Sequence, residues 1–316
     1  MLNFKKIEEK DISFISEYFE YQPYKLCDYS IGTIYTWKEY YNTMFCTYKE
    51  YLLIKFQDEN GNCVFAFPIK KGKNPVTIEE ARADESLTEV LNVVKECTAK
   101  NGCQCVFTNL TEELAEVVKD IFPDCTIECS RDWADYLYAY EDLAELKGRK
   151  YSSKRNHISR FNRDYPNHRI VEITEENIDC VKEFYKNVYL KEHSLEGTDE
   201  EEHMEAKSTK RMLNDFFKLK QKGIFVEVSG EIAAFTIGET VADTLVVHIE
   251  KALTRYNGIY SFINKEFVCF SKAQNPDILY INREEDVGDE GLRKSKLSYH
   301  PVKLLLKHLA RVPNGN

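Results

Sequence analysis

The order hairpin, helix, strand, helix is written twice along this chain, and a repeated order of that kind leaves few folds open. Leu52–Phe56 and Cys63–Phe67, around a turn at Asp58–Asn62, read as the first hairpin. A helical pattern with Leu87, Val90, Leu91 and Val94 follows, then a strand at Gln104–Asn109 and a helix from Glu112 to Phe122. The second hairpin is Ile224–Val228 and Ile232–Ile237, turning at Ser229-Gly230. After it come a strand at Leu245–Glu250, a helix at Ile259–Phe270, a strand at Ile278–Asn282 and a short helix near 290–297. The expectation is two α+β domains of similar topology, residues 1–141 and 142–316. The join falls at a basic helix, and helices near Glu175–Leu190 and Lys207–Gln221 precede the second hairpin.

A chain of 316 residues with 43% hydrophobic content has the length and apolar surface for two full cores. Its net charge of −10 argues against a protein that coats nucleic acid, though not against a local basic patch. No apolar run approaches the ~18 residues of a membrane span. Met1–Lys10 has no apolar signal-peptide core, so the expected location is the cytoplasm. The ten cysteines include no pair of Cys-x-x-Cys motifs, so buried free thiols are expected and no metal motif is found. The acidic run Thr198–Glu202 reads as a solvated loop or helix start.

Against that acidic background, residues 147–163 carry Lys147, Arg149, Lys150, Lys154, Arg155, Arg160 and Arg163 with no acidic residue. Ile158 and Phe161 give this helix an apolar edge for docking. Its cations either pair with acidic domains around it or meet a phosphate-rich ligand such as RNA. For the second role the candidates are Lys150, Lys154, Arg155, Arg160 and Arg163, with Tyr151, His157 and Phe161 as bases' stacking partners.

A second set of candidates lies between Leu245 and Pro301. Arg255, Asn257 and Gly258 lead into the helix at 259, where N-terminal amides and a cation can meet phosphate; the alternative is an ordinary strand-to-helix connection. Arg293 and Lys296 stand three apart on the last helix, and Lys296 is either a fixed cation for a phosphate or carbonyl oxygen or a surface lysine. Glu250, Glu284, Glu285 and Asp286 fall at strand ends, where a carboxylate takes a proton from an attacking amine or pairs with Arg283 or Arg293. His248 alternates with apolar neighbours, as a base on one face or a satisfied core histidine. No spacing supports a covalent nucleophile.

On three of these stretches the chain resembles a known family: Lys150–Ile158, His248–Ala252, and Tyr280–Asp286 running on to Gly291–Pro301. It is similar to the C-terminal catalytic domain of phosphatidylglycerol lysyltransferase, and more distantly to the FemABX peptidyltransferases. The resemblance implies two tandem GNAT-like domains, each a mixed, mostly antiparallel sheet flanked by helices. The first would be degenerate and the second functional. It implies an acyltransferase that moves an acyl group, often an aminoacyl group from aminoacyl-tRNA, to an amine or hydroxyl; whether the acceptor is a small molecule, a peptide or a lipid headgroup stays open, and without the family's membrane helices a lipid acceptor is not implied. Acyl-CoA as donor is the alternative, and a non-catalytic binding protein the second. Lys154 and Arg155 would match the family's basic helix, Arg255 and Gly258 its donor-phosphate turn, and Lys296 its terminal lysine. The catalytic set expected is therefore Lys296, Glu250 and His248, and the donor set Arg255, Asn257, Gly258 and Arg293. The turn at 254–258 lacks the full Gln/Arg-x-x-Gly-x-Gly/Ala pattern of acetyl-CoA enzymes.

Overall fold

The computed structural model describes residues 2–58, 61–192 and 200–313. Its contacts divide the chain into two compact units, neither of them a continuous stretch of chain. Unit 1 takes Met1–Tyr136, Glu284–Arg293 and Leu304–Asn316; unit 2 takes Leu137–Arg283 and Lys294–Lys303. The division thus falls a few residues before the 141/142 join read from the sequence. The terminal motif at 284–316, read as part of one C-terminal domain, is shared between both units.

In unit 1 the strands Met44–Tyr48, Tyr51–Gln57 and Cys63–Ala66 pair antiparallel in succession, and Cys105–Leu110 then joins Cys63–Ala66 in parallel. A parallel neighbour needs a crossover, which the helix Glu85–Lys100 supplies. Asp84 caps that helix by accepting from the Leu87 N–H at 3.1 Å, and Leu87, Val90, Leu91 and Val94 form its buried stripe. The helix Glu112–Ile121 follows, capped by Thr111. The late strand His308–Val312 enters this sheet between Cys105–Leu110 and Thr126–Cys129. Of the hairpin turn at 58–62, Glu59 and Asn60 lie outside the described residues.

Unit 2 repeats the plan. Lys222–Val228, Glu231–Val241 and Thr244–Ala252 pair antiparallel in succession, the helix Ile259–Gln274 crosses over, and Tyr280–Asn282 returns parallel to Thr244–Val246. Asp135–Ala139 pairs on the far side of Tyr280–Asn282. The core gathers Phe184, Tyr185, Phe216, Phe225, Phe235, Ile237, Ile249 and Leu253. The twofold order hairpin, helix, strand read from the sequence is therefore the observed topology. Each sheet is mixed and mostly antiparallel.

Local differences have local causes. The basic segment begins as a tight turn at Arg149–Tyr151 and becomes α-helical at Ser152–Asp164, because Gly148, in the left-handed region at φ 87°, starts the chain in a new direction. The helix expected over Lys207–Gln221 lies instead at Glu200–Asn214, after which the chain folds back with the Gln221 N–H on the Phe216 carbonyl. The helix expected over Glu175–Leu190 is α only at Ile178–Phe184 and widens to a π turn at Tyr185–Tyr189. Of the acidic run 198–202, Thr198 and Asp199 lie outside the described residues, and Glu200 opens a helix.

Candidate active site in unit 2

One residue decides how the basic helix meets the rest of unit 2. Gly258 caps the helix Ile259–Gln274 with φ 88°, and a Cβ placed on it would stand 2.1 Å from the His157 carbonyl oxygen and 3.3 Å from Phe161 Cβ. Glycine is thus required twice over, for the left-handed backbone and for the approach of a second helix. Phe161 fills the contact, its ring 4.6 Å from Phe262, with His168 4.7 Å from Phe262 on the same side. The sequence reading assigned this closeness to a phosphate; the structure gives it to the basic helix. The left-handed position belongs to Gly258 and not to Asn257, which is exposed.

The cations of residues 147–163 consequently have different surroundings. Arg160 and Arg163 are exposed and, among the described residues, meet only Asp164, at 3.4 and 3.0 Å. Arg155 bends back to donate to the carbonyls of Leu146 and Gly148, stitching the turn before the helix. Lys150 lies 3.6 Å from Asp142 and over the Tyr151 ring. Tyr151 and Phe161 are fully buried, which removes them as platforms for bases. Lys154 turns inward, its Nζ 3.7 Å from the centroid of the Tyr299 ring.

Tyr299 gathers a second cation. The Arg283 guanidinium lies over the same ring at 4.9 Å and donates through Nη2 to Glu250 Oε1 at 3.0 Å. The other oxygen of Glu250 accepts from Asn264 Nδ2, also at 3.0 Å. Both side chains of the Arg283–Glu250 pair are close to nine-tenths buried, at 10% and 12% exposure. Burial, then the neighbouring Arg283 guanidinium, push the Lys154 ammonium down to about 8, against the weaker pull of Glu250. Of the two open readings of Glu250, pairing with Arg283 is the one realised. Arg283, absent from the expected site, is its hub. Its signals in the sequence were its place in the Tyr280–Asp286 stretch and its charge beside the strand-end carboxylates.

Lys296 is buried, and its Nζ donates to the Arg283 carbonyl at 2.6 Å. Its own carbonyl accepts from the Tyr138 hydroxyl at 2.8 Å, and the Tyr299 carbonyl accepts from Tyr151 at 3.0 Å. This lysine therefore fixes the backbone that carries Arg283. Lys296→Met keeps the aliphatic packing and leaves that carbonyl without its lysine partner. We expect a loss of about 2 kcal/mol in urea denaturation.

His248 is the extra residue of a β-bulge: Ile237 faces Ile249, whereas the next residue, Gly238, faces Val247. Its side chain is 3% exposed, with Nε2 2.9 Å from Glu239 Oε1. Of the two readings of this histidine, the satisfied core residue is the one observed. Arg255 is exposed over the Tyr256 ring, 4.0 Å from Glu231. The Ile259 N–H at the mouth of the helix is already used by the Tyr256 carbonyl.

Arg293, Glu285 and Asp286 belong to unit 1. Arg293 is held there by Asp286 at 2.7 Å and Asp132 at 2.6 Å, so the guanidinium expected at the donor serves a local ion-pair network. Glu285 joins a separate buried group. Lys307 Nζ stands 2.6 Å from Asp28, 2.8 Å from Asp135, 3.1 Å from Glu285 and 3.4 Å from Cys27 Sγ. Cys27, Asp28 and Asp135 present ligand atoms within 4.8 Å of one another, but the lysine already supplies their cation.

Two mixed sheets of this repeated plan, flanked by helices, make the fold α+β, and in unit 2 the strand leading into the crossover helix carries a bulge. Residues 20–311 match the family described as phosphatidylglycerol lysyltransferase, C-terminal, and the chain belongs to that family. Membership places it among acyltransferase domains. A conserved protein of unknown function from Bacteroides thetaiotaomicron is 31% identical, with a TM-score of 0.88, covering 99% of this chain and 100% of its own. The C-terminal domain of a putative lysylphosphatidylglycerol synthetase from Agrobacterium fabrum shares the fold at 13% identity and a TM-score of 0.64, covering 96% and 92% of the two chains. FemX shares it at 8% identity and 0.57, covering 99% and 98%. An uncharacterized protein of Mycoplasmoides gallisepticum is 21% identical over 179 residues, which span 56% of this chain and 56% of that relative, so the match takes in about half the relative's length. Among the described residues, no helix is long and apolar enough to cross a membrane.

Proposed function

We propose that the protein transfers an aminoacyl group from aminoacyl-tRNA to an amine or hydroxyl acceptor at the Lys154–Tyr299–Arg283–Glu250 cluster. The observation that carries this reading is the division of labour along one helix. Arg160 and Arg163 face water at its outer end, while Lys154 enters the buried cluster. A helix built in this way offers cations to a phosphate backbone and, roughly two turns away, a cation beside the reacting ester. The basic patch stands out in a chain of net charge −10. The family's name supports acyl transfer in general, and the tRNA donor is our addition.

Chemically, ester aminolysis or transesterification needs a positive site for the carbonyl oxygen as it gains charge, and a group to receive the nucleophile's proton. In this reading Lys154 and Arg283 supply the positive field. As the new bond to the carbonyl carbon forms, the ester C–O bond breaks and the nucleophile's proton passes to the departing ribose oxygen of the tRNA, so Lys154 stays a cation throughout the step. Glu250 orients Arg283 rather than acting as the base, since both its oxygens are engaged. Lys296 positions Arg283 through its carbonyl.

The test is filter binding of bulk tRNA across a salt series. Wild-type affinity should fall log-linearly with salt, and Arg160→Ser with Arg163→Ser should reduce the slope by between about one and two. An unchanged slope in the double variant would remove the helix from RNA binding.

A further inference from the structure

Cys27 and Lys307 stand 280 positions apart in the sequence, yet Lys307 Nζ donates to Cys27 Sγ at 3.4 Å inside unit 1. Both are buried, Cys27 at 1% exposure and Lys307 at 8%. Asp135 holds the pair together. Its Oδ2 accepts from the Cys27 N–H at 2.7 Å, and its Oδ1 lies 2.8 Å from the lysine and 3.4 Å from the thiol sulfur. Asp28 and Glu285 complete the ring of carboxylates, and their side chains are 21% and 19% exposed, so the cluster borders solvent on that side. The thiol itself is not activated. Burial, then Asp135 and Glu285, push it well above its ordinary range, so it stays protonated and reacts slowly. What the arrangement offers instead is an amine already in reach of the sulfur once that sulfur is oxidised.

We propose that Cys27 and Lys307 are the two ends of an oxidative crosslink, formed when the protein meets hydrogen peroxide. In the first step the O–O bond of peroxide breaks, an S–O bond forms on Cys27 and one water leaves, carrying the thiol proton. The neutral Lys307 amine then attacks the sulfur, so that an S–N bond forms, the S–O bond breaks and a second water leaves. One peroxide is reduced in all, and the sulfur is the atom oxidised. Before the attack the ammonium gives up a proton. Asp135 is placed to take it, with a carboxyl that burial raises to about 6 against the opposing pull of Lys307. That transfer runs against the higher proton affinity of the lysine, so the crosslink forms under sustained oxidation and not as a fast sensor. Once made, it pins the start of the strand His308–Val312 to the turn at Cys27–Tyr29.

Peptide mass mapping of the full chain, treated with hydrogen peroxide or kept in dithiothreitol, tests this directly. The peroxide sample should yield the peptides of Cys27 and Lys307 as one joined species, lighter by two hydrogens than their sum. The same junction carrying one further oxygen, inserted by a second peroxide with loss of water, equally establishes the crosslink. Dithiothreitol should return the two separate peptides. Lys307→Arg keeps a cation among the carboxylates but removes the amine, and Cys27→Ser removes the sulfur, so the joined species should be lost from both. If either variant fails to fold, the wild-type map still decides. Cys27 recovered unmodified, or as an unlinked sulfinic or sulfonic acid, would overturn the crosslink, and so would a joined species that persists in a folded variant. The crosslink needs neither RNA nor an acyl donor, so its outcome and that of the aminoacyl-transfer reading are independent.

Discussion

Gly258→Ala is expected to destabilise unit 2 by about 3 kcal/mol or more, because left-handed backbone strain and overpacking act together. The new methyl would stand 2.1 Å from the His157 oxygen, and its neighbours within 3 Å are backbone atoms that have little freedom to give way. A matched control separates the two terms. Gly230 has nearly the same φ, 87°, with nothing within 4 Å of the added carbon. Gly230→Ala should therefore show only the conformational part, about 1–2 kcal/mol. Urea denaturation of the pair measures the difference. Equal losses would mean that the basic helix does not press on the turn at 258.

Lys307→Met in unit 1 should be the other large loss, about 3–5 kcal/mol near neutral pH, since it leaves a buried carboxylate group without its cation. Burial raises the Asp135 carboxyl to about 6, with Glu285 and Asp28 adding to the effect and Lys307 opposing it. The folded state therefore holds this proton more tightly than the unfolded chain does. The stability associated with Asp135 is fully present below the ordinary carboxylate range near about 4, declines as pH rises toward about 6, and is level above that. Removing Lys307 removes the term that opposes protonation, so the variant's deficit should grow from pH 4 to pH 8. Lys307 itself is raised well above its ordinary value: burial works against its charge, and Asp135 and Asp28 outweigh burial. It stays charged throughout that window. Melting temperatures at the two ends of the range give the answer. A deficit independent of pH would mean that the carboxylates do not sense Lys307.

The repeated topology was legible in the sequence because hairpins and amphipathic helices write their periods locally. Leu87, Val90, Leu91 and Val94 form one helical stripe wherever the helix goes. What periodicity does not write is which distant strand completes a sheet. His308–Val312 joining Cys105–Leu110 is a pairing across some two hundred residues, and its alternation looks like that of any edge strand. The site shows the same split. Lys154 and Lys296 were found as charges in a motif, but their opposite roles, one against an aromatic ring and one on a backbone carbonyl, depend on Tyr299 and Arg283. His248 sits at a bulge that alternation alone cannot reveal. Gly258 reads in the sequence as a place where the backbone can be approached closely, and what approaches it in the structure is a helix 101 positions upstream, at His157.

The basic helix as a tRNA dock joined to a buried cluster is the central claim, and one side-by-side measurement bears on it most directly. Wild-type protein is titrated with bulk tRNA and, separately, with acetyl-CoA, at low and at raised salt. The account predicts tRNA binding at low salt that weakens steeply as salt is added, and no rise in melting temperature with acetyl-CoA. No tRNA binding at low salt, together with clear stabilisation by acetyl-CoA, would contradict it.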